Sequence, residues 1–285
     1  MGKRIIDETL KTCCAKIKKI RITDKAVENL FAPSFSLKGK LAVVTGAGRG
    51  IGRALSIGLA ESGSDVVLLS RTRDDLEETA GVIEKLGRKA HILPTDVTSR
   101  DDINRVITYI ENNGLSIDIL INNAGMNIRS AALSVTDDEW QKIMDTNLKS
   151  AFMMSQEVGR HMKERGRGKI INIASVAGHV ALRTGVVYAS TKAAMIQMTK
   201  VLAMEWGKYN INVNSIGPWY FKTPLTKGLL QNEEYVNDIL SVTPLKRIGE
   251  LEELVGPAVF LSSDASNYIT GQTLYVDGGM TINGF

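Results

Sequence analysis

Short apolar runs alternate with longer amphipathic stretches along most of this chain. Seven of these runs have the length and composition of buried strands, and they fall at residues 41–44, 65–70, 90–94, 117–121, 169–174, 211–216 and 273–276. Strands separated by helical stretches predict an α/β fold with a doubly wound parallel sheet of the Rossmann type. Because crossovers in such a sheet are right-handed, the residues that follow the strands should gather along one edge.

Residues 1–36 precede this pattern and differ from it. The segment is predicted to be a basic helical extension, and residues 37–285 are predicted to form a single domain. A helix that must bury one face docks most often on its own domain or on a sister subunit, which is the interpretation we favour. There are two alternatives. The helix could contact an anionic partner or a membrane surface, or the segment could be unstructured or a targeting signal. The helix is predicted because apolar residues in this segment recur at helical spacing and would form one apolar stripe, which consists of Ile6, Leu10, Cys13, Ile17, Ile20 and Val27.

Charge and cysteine content narrow the range of partners. The net charge of +4 resides in residues 1–36, which have eight Lys or Arg and four Asp or Glu, whereas the rest of the chain has 27 residues of each sign. A nucleic-acid-binding surface on the main domain is therefore not predicted. Both cysteines, Cys13 and Cys14, lie in the extension, and no apolar run is long enough for a membrane span. We expect a cytoplasmic protein without a disulfide framework.

A glycine-rich turn follows the first strand. Residues 45–52 have the sequence Thr-Gly-Ala-Gly-Arg-Gly-Ile-Gly and lead into a helical stretch at 53–61. Glycines allow the backbone to approach a pyrophosphate closely, and the helix N-terminus offers unpaired N–H groups and the positive end of its dipole. The order of strand, glycine turn and helix therefore predicts a dinucleotide site. A flexible glycine loop without a ligand is the alternative.

A tyrosine and a lysine four residues apart, Tyr188 and Lys192, share one face of a predicted helix. A phenol has a pKa near ~10 and is a poor acid at neutral pH, but an adjacent cation favours its ionised form and lowers that pKa. Such pairs occur by chance on many helices. Here the pair is accompanied by Asn-Asn-Ala-Gly at residues 122–125, by Asn147 and by Ser175 at the end of the fifth strand.

In this order, the features resemble those of the classical short-chain dehydrogenases/reductases, and the resemblance extends over residues 37–279. Within that family the chain is most similar to the gluconate 5-dehydrogenase-like and 3-oxoacyl-ACP reductase-like branches, through residues 35–40 and 274–279. The resemblance implies an NAD(P)(H)-dependent oxidoreductase that interconverts a ketone and a secondary alcohol by hydride transfer. The implied substrate is a sugar acid or, alternatively, a 3-oxoacyl thioester. A nicotinamide-binding sensor or scaffold is the non-enzymatic alternative.

Four residues are expected to perform the chemistry. Tyr188 would be the general acid/base, and Lys192 would lower its pKa and, by the family resemblance, hold the nicotinamide ribose. Ser175 would hydrogen-bond the substrate oxygen, and Asn147, by the same resemblance, would complete a proton relay through water. The alternatives are that Ser175 is a turn residue and that Asn147 only bridges backbone groups. The scattered histidines show no metal-ligand spacing, so no catalytic metal is predicted.

The end of the second strand bears on the choice of cofactor. An acidic residue there would repel a 2′-phosphate, whereas this chain has Ser70 and Arg71. Arg49 in the glycine turn adds a second cation, so NADP(H) is favoured over NAD(H). A surface pair of Arg71 with Asp74 or Asp75 is the alternative. With the positions that the resemblance implies, the predicted cofactor-binding residues are Gly46, Gly48, Arg49, Gly50, Ile51, Gly52, Ser70, Arg71, Asp96, Val97, Asn123, Ala124, Gly125, Tyr188, Lys192, Pro218 and Thr223.

Candidate substrate contacts follow from the same resemblance. Arg129 matches an arginine that sugar-acid dehydrogenases of the family have, and a carboxylate would suit it. A solvated Arg129 is the alternative. Trp219 stands where the family has a glycine after the sixth strand, so it either forms a substrate wall or is accommodated through Gly217. Besides Arg129 and Ser175, the candidate wall residues are His179, Arg183, Trp219 and Tyr220.

The resemblance also implies a lid and an assembly. Residues 219–244 interrupt the alternation with a helical stretch at 233–240, and the family has a mobile lid there; an ordinary surface excursion is the alternative. The implied assembly is a homotetramer in which helices at 147–165 and 186–206 bury apolar faces against a twofold mate. The predicted interface residues are Phe152, Met195, Met198 and Leu202.

Overall fold

The computed structural model describes residues 32–183 and 185–282. From Phe35 onward the chain forms one compact unit. The apolar stripe that predicts a helix near the N-terminus lies outside the described residues. Within the described ranges, no helix combines the length and the apolar character that crossing a bilayer would require.

The centre of the fold is a parallel sheet of seven strands, as the alternating pattern predicts. The strand order is β3-β2-β1-β4-β5-β6-β7. The strands are β1 (Leu41–Thr45), β2 (Asp65–Ser70), β3 (Ala90–Pro94), β4 (Ile119–Asn122), β5 (Gly168–Ile173), β6 (Ile211–Pro218) and β7 (Thr273–Val276).

Helices cover both faces of the sheet, which confirms the doubly wound fold. They are α1 (Gly50–Glu61), α2 (Arg73–Lys85), α3 (Arg100–Asn112), α4 (Asp137–Met144), α5 (Ser150–Arg165), α6 (Val186–Trp206), α7 (Glu233–Ser241) and α8 (Glu252–Ser262). A single π-helical turn, Asp145–Lys149, joins α4 to α5. Helices α1, α2 and α8 pack on one face of the sheet, and α3, α5 and α6 pack on the other.

Successive residues of each strand serve opposite faces, because side chains alternate along a strand. In β1, Val44 belongs to the cluster beneath α1, α2 and α8, whereas Val43 belongs to the cluster beneath α3, α5 and α6. All five β1 residues are buried. Burial on both faces explains why the strands are continuous apolar runs in the sequence.

Strand order reverses between β1 and β4, which creates a crevice at the carboxyl edge of the sheet. Thr45, the last residue of β1, ties the two sides together there. Its Oγ1 accepts hydrogen bonds from the backbone N–H groups of Asn123 at 2.9 Å and Ala124 at 3.0 Å. The Asn123 amide in turn donates to the Thr45 carbonyl at 3.0 Å. The turn after β4 is thereby held against the glycine turn after β1.

Strands β4 and β5 share a buried amide pair. Asn122 and Asn172 are partners in the strand register, and the Asn122 Nδ2 donates to the Asn172 Oδ1 at 2.8 Å. The same Nδ2 donates to the Ser155 hydroxyl of α5 at 2.8 Å, and the Asn172 Nδ2 donates to the Thr199 hydroxyl of α6 at 2.9 Å. These hydrogen bonds connect the two central strands to α5 and to α6, the helix that contains Tyr188 and Lys192.

Candidate active site

A cavity of about 860 Å³ lies along the carboxyl edge of the sheet. It gathers most of the residues that the sequence predicts for cofactor and substrate, from distant parts of the chain. The predicted site residues that do not line it are Gly52, Asn147, His179 and Arg183. The predicted residues that do are Gly46, Gly48, Arg49, Gly50, Ile51, Ser70, Arg71, Asp96, Val97, Asn123, Ala124, Gly125, Arg129, Ser175, Tyr188, Lys192, Pro218, Trp219, Tyr220 and Thr223.

The glycine turn has the backbone form that an anion site needs. Gly46 and Gly50 have φ angles of +67° and +56°, in the left-handed region that favours glycine. No side chain caps the N-terminus of α1, and its first turn has no acidic residue. The unpaired N–H groups and the positive dipole end of α1 therefore face the cavity, and the turn fits the pyrophosphate of a dinucleotide.

Gly52 has a packing role instead of a direct place in the cavity wall. A Cβ at this position would lie 2.1 Å from the Gly46 carbonyl oxygen and 2.5 Å from the Asn123 Nδ2. Only a residue without a side chain lets α1 approach the turn this closely. Gly52 thus supports the cofactor site by setting the distance between α1 and β1.

The far corner of the cavity holds Ser70, Arg71 and Arg49. Both arginines are exposed, and neither takes part in the salt bridges found within residues 32–183 and 185–282. The alternative in which Arg71 pairs with Asp74 or Asp75 is therefore not what the structure shows. Asp75 nevertheless borders the same corner, where its Cβ would be 2.6 Å from a Cβ at Gly48. The corner has the cations that a 2′-phosphate requires.

Tyr188 and Lys192 lie one turn apart on α6, at the inner end of the cavity. Lys192 is 4% exposed, and its Nζ donates to the Ile173 carbonyl at 2.7 Å. That Nζ lies 5.6 Å from the centre of the Tyr188 ring. The end of β5 therefore fixes the ammonium beside the phenol.

The pKa values of this pair differ from the expectation that the lysine lowers the pKa of the phenol. Burial raises the pKa of Tyr188, while hydrogen bonding by Ser175 and the positive charge of Arg129 act in the opposite direction. Burial also lowers the pKa of Lys192 to about 8. Removal from water disfavours both charged forms, and that effect exceeds the attraction between them. Burial therefore keeps the phenol in the protonated form that can donate, and makes it a weaker acid than the sequence predicts.

Ser175 and Asn147 organise the backbone around the pair. Ser175 begins a short 3-10 turn after β5, and its Oγ accepts from the Ala177 N–H at 3.1 Å. Asn147 is completely buried and makes two hydrogen bonds to the backbone of Met126. Its Oδ1 accepts from the Met126 N–H and its Nδ2 donates to the Met126 carbonyl, both at 2.8 Å. Its Nδ2 also donates to the Thr191 hydroxyl at 3.3 Å. Asn147 therefore links the turn after β4 to α6 from below the cavity.

The substrate side of the cavity is formed by Arg129 and the segment after β6. Trp219 lines the cavity, and its Nε1 donates to the Thr243 hydroxyl at 3.0 Å. A Cβ at Gly217 would lie 2.5 Å from the Tyr275 ring, so this glycine makes room for Tyr275. The bulk of Trp219 is accommodated as part of the wall.

The prediction that His179 belongs to the substrate wall is not met by the structure. The imidazole stacks on the Tyr275 ring, with centroids 5.2 Å apart, and the residue is exposed outside the cavity. The short turn after Ser175 directs the chain away from the cavity before His179 is reached. No group of three or more metal-ligating side chains is found within residues 32–183 and 185–282.

Several lining residues have no signal in the sequence. Asp75 lies on α2 and reaches the cavity because α2 begins beside the glycine turn. Tyr235 lies behind the lining, on α7, and contacts Tyr220 and Arg129 from 15 and 106 residues away. A motif search could not have found it, because neither partner is near in sequence.

The fold and the cavity together define a nicotinamide-dependent oxidoreductase, with the glycine turn at one end of the cavity and the pair of Tyr188 and Lys192 at the other. A family model described as "Enoyl-(Acyl carrier protein) reductase" matches residues 46–281. The chain belongs to the short-chain dehydrogenase/reductase family.

Among curated relatives, the chain is 44% identical over 250 residues to gluconate 5-dehydrogenase of Gluconobacter oxydans, covering 87% of this chain and 97% of that one. It is 43% identical to a tropinone reductase homolog of Arabidopsis thaliana, covering 88% and 96%. It is 41% identical to an NAD-dependent glycerol dehydrogenase of Listeria innocua, covering 88% and 98%. A solved structure of gluconate 5-dehydrogenase from Burkholderia cenocepacia, in complex with NADP and tartrate, superposes with a TM-score of 0.84 at 39% identity, covering 87% and 97%.

Proposed function

We propose that the protein uses NADP(H) to interconvert a keto sugar acid and the corresponding secondary alcohol. The observation that carries this proposal is the placement of Arg129, a guanidinium in the cavity wall whose charge acts on the Tyr188 phenol. No carboxylate forms a salt bridge with Arg129 within the described residues. The similarity to gluconate 5-dehydrogenases supports a substrate carboxylate as its partner.

In the proposed reduction, Tyr188 gives its proton to the substrate carbonyl oxygen and Ser175 holds that oxygen by a hydrogen bond. The nicotinamide cofactor, when bound, supplies the hydride to the carbonyl carbon. The products are a secondary alcohol and a phenolate, which Lys192 stabilises until solvent returns the proton. In the oxidative direction, Tyr188 takes the hydroxyl proton. The glycine turn and the N-terminus of α1 would hold the pyrophosphate, and Asp96 and Val97, which line the cavity, would border the adenine.

The preference for NADP(H) rests on Arg49 and Arg71 at the corner beyond the adenosine ribose. Both are exposed in the cavity wall, and arginine forks match phosphate oxygens. The bound NADP of the Burkholderia cenocepacia enzyme supports this choice, whereas the Listeria innocua relative is NAD-dependent. Replacing Arg71 with Asp, which reverses the charge, tests the preference for NADP(H).

Replacing Arg129 with Leu tests the substrate class. The Michaelis constant for 5-keto-gluconate should rise by a factor that corresponds to about 1.5–3 kcal/mol, because a hydrogen bond to a charged group is lost. The Michaelis constant for a small neutral ketone should change little. Steady-state kinetics with both substrates measures the difference, and Arg105→Leu, an exposed arginine of α3, is the matched control.

Two results would contradict the sugar-acid assignment. Equal effects of Arg129→Leu on the acid and on the neutral ketone would mean a general defect of the fold or an exposed arginine that does not bind the substrate. If the parent protein reduces 3-oxoacyl thioesters readily and no sugar acid, the acyl-thioester function replaces the one proposed.

We further propose a homotetramer, with a corrected interface. Met195 and Leu202 are 1% and 5% exposed and belong to the core of their own chain, so they are not available to a partner. The apolar residues that α5 and α6 do expose are Phe152 at 41%, Val186 at 47%, Val201 at 38% and Met204 at 77%. Large apolar side chains exposed on these two helices support a subunit contact there.

Light scattering should show a tetramer at micromolar concentration, and Phe152→Asp should reduce the mass, because a buried unpaired carboxylate destabilises an apolar interface. Leu133→Asp, at a fully exposed leucine outside α5 and α6, is the control. A monomeric parent protein would refute the assembly. The cytoplasmic location and the docking of the N-terminal extension stay predictions of the sequence.

A further inference from the structure

Tyr235 on α7 connects the lid segment to the substrate side of the cavity. Its hydroxyl lies 2.5 Å from the Tyr220 hydroxyl and accepts a hydrogen bond from the Arg129 Nη1 at 3.4 Å. The two tyrosine rings pack edge to face, with centroids 5.9 Å apart and an interplanar angle of 86°. Tyr220 and Arg129 line the cavity, whereas Tyr235 stands behind them.

The hydroxyl of Tyr235 connects the two cavity residues. A guanidinium only donates, so the Tyr235 oxygen is an acceptor toward Arg129. Between the two hydroxyls, either oxygen can be the donor. In both cases the Tyr235 hydroxyl holds the Arg129 guanidinium and the Tyr220 hydroxyl, and both of these residues line the cavity.

The same contacts fix one edge of the Arg129 guanidinium. Its Nη1 donates to Tyr235 and also to the backbone carbonyl of Arg183 at 3.3 Å. Both protons of Nη1 are thereby used, and the three remaining N–H groups belong to the Nη2 and Nε edge. That edge has the parallel donors that bind a carboxylate bidentately. Burial raises the pKa of Tyr220 to about 12, so its hydroxyl is protonated at neutral pH.

We propose that Tyr235 is a positioning residue for substrate specificity, which orients Arg129 and Tyr220 as a joint binding site for the carboxylate of the substrate. The idea rests on the proposed sugar-acid function and adds a residue to it. Tyr235 comes from the lid helix, while Arg129 follows β4 and Tyr220 follows β6. The carboxylate site is therefore complete only when α7 is in the position that the structure shows. Binding of the substrate carboxylate and the position of α7 are therefore coupled.

A second lid contact lies beside this site, because the Arg183 guanidinium is 5.5 Å from the centre of the Tyr235 ring. Arg183 and Asp238 form a salt bridge of 2.6 Å, but their side chains are 73% and 50% exposed, so the pair contributes little to lid stability. Asp238→Asn removes this ion pair on α7 without touching the Tyr235 hydroxyl. It is a matched control for a general effect on the lid.

The test is calorimetric titration of the full chain, saturated with NADPH, with gluconate and with sorbitol. The two ligands differ in a carboxylate against a neutral hydroxymethyl group, and neither reacts with the reduced cofactor. The parent should bind gluconate more tightly than sorbitol. Tyr235→Phe keeps the ring and removes only the hydroxyl. It should weaken gluconate binding by about five- to ten-fold, because the Arg129 guanidinium loses the hydrogen bond that orients it, and sorbitol binding should not change. Tyr220→Phe should have the same selective effect.

Each outcome decides the matter. If Tyr235→Phe weakens both ligands equally, or neither, or if the parent binds gluconate no better than sorbitol, the inference is wrong. A selective loss that Asp238→Asn also produces would assign the effect to the lid as a whole and would equally refute a specific role for Tyr235. Turnover of 5-keto-gluconate is measured separately. A parent that shows the selective binding without turnover overturns the proposed function and leaves the binding site standing.

Discussion

Turnover by the Tyr188→Phe variant should fall by at least the ~10²–10⁴ that a lost general acid typically costs. The phenol is the group whose protonated form burial stabilises, and it stands beside the buried Lys192 ammonium and the hydroxyl of Ser175. The substitution removes one oxygen and keeps the ring, so the packing of α6 is preserved. Steady-state assays at saturating cofactor and substrate measure the loss.

Cofactor binding separates this effect from a folding defect. Fluorescence titration with NADPH should give nearly the same dissociation constant for the variant as for the parent. Tyr268→Phe removes a hydroxyl from a fully exposed tyrosine and should retain full activity. Full activity of Tyr188→Phe would refute the assignment of the acid.

The Arg71→Asp variant should reverse the preference between NADPH and NADH. A charge-assisted contact worth roughly 1.5–3 kcal/mol is lost and a repulsion between Asp and the 2′-phosphate replaces it. Affinity for NADPH should therefore fall by more than the ~10-fold to ~100-fold that loss of the contact alone implies. NADH has no 2′-phosphate, so its affinity should be retained or improved.

Dissociation constants of both cofactors for parent and variant measure this change. Arg73→Asp is the matched control, since Arg73 lies two positions further on, pairs with Glu77 at 3.6 Å and is not part of the cavity lining. Tighter binding of NADH than of NADPH by the parent protein would show that Arg49 and Arg71 do not form a 2′-phosphate site.

The strands could be predicted from the sequence because they are mostly apolar runs; the central strands are buried on both faces, whereas the edge strands β3 and β7 are only partly buried. Their ends were less accurate, and the reason is local. Strand β6 extends to Pro218 because Gly217 and Pro218 still pair with Tyr275 and Val276 of β7. Helix α1 begins at Gly50, not at Arg53, because the glycines of the turn already form its first turn. Glycine has a low helix propensity in a helix interior, but these glycines lie at the N-terminal end of α1, where that preference matters less.

The candidate site could be predicted only where its residues follow strands or share a helix. Tyr188 and Lys192 come together by helical spacing, and Ser175 by its position after β5. The π-helical turn that contains Asn147 has no pattern in the sequence, because the extra residue is accommodated through tertiary hydrogen bonds to Met126. The rise in the Tyr188 pKa could not be predicted from the sequence either, because it is caused by burial, and burial depends on residues from the whole cavity.

The amide pair of Asn122 and Asn172 has a consequence for folding fidelity. A parallel sheet of nearly interchangeable apolar strands offers many wrong alignments that would bury similar surface. Sliding β5 by one residue against β4 would set Asn122 opposite Ile171 or Ile173 and turn Asn172 toward the opposite apolar layer. Two amides would then lose their partners inside the core, at about 1–3 kcal/mol each. These two polar residues therefore act as an alignment key, which excludes shifted pairings that a purely apolar sequence would tolerate.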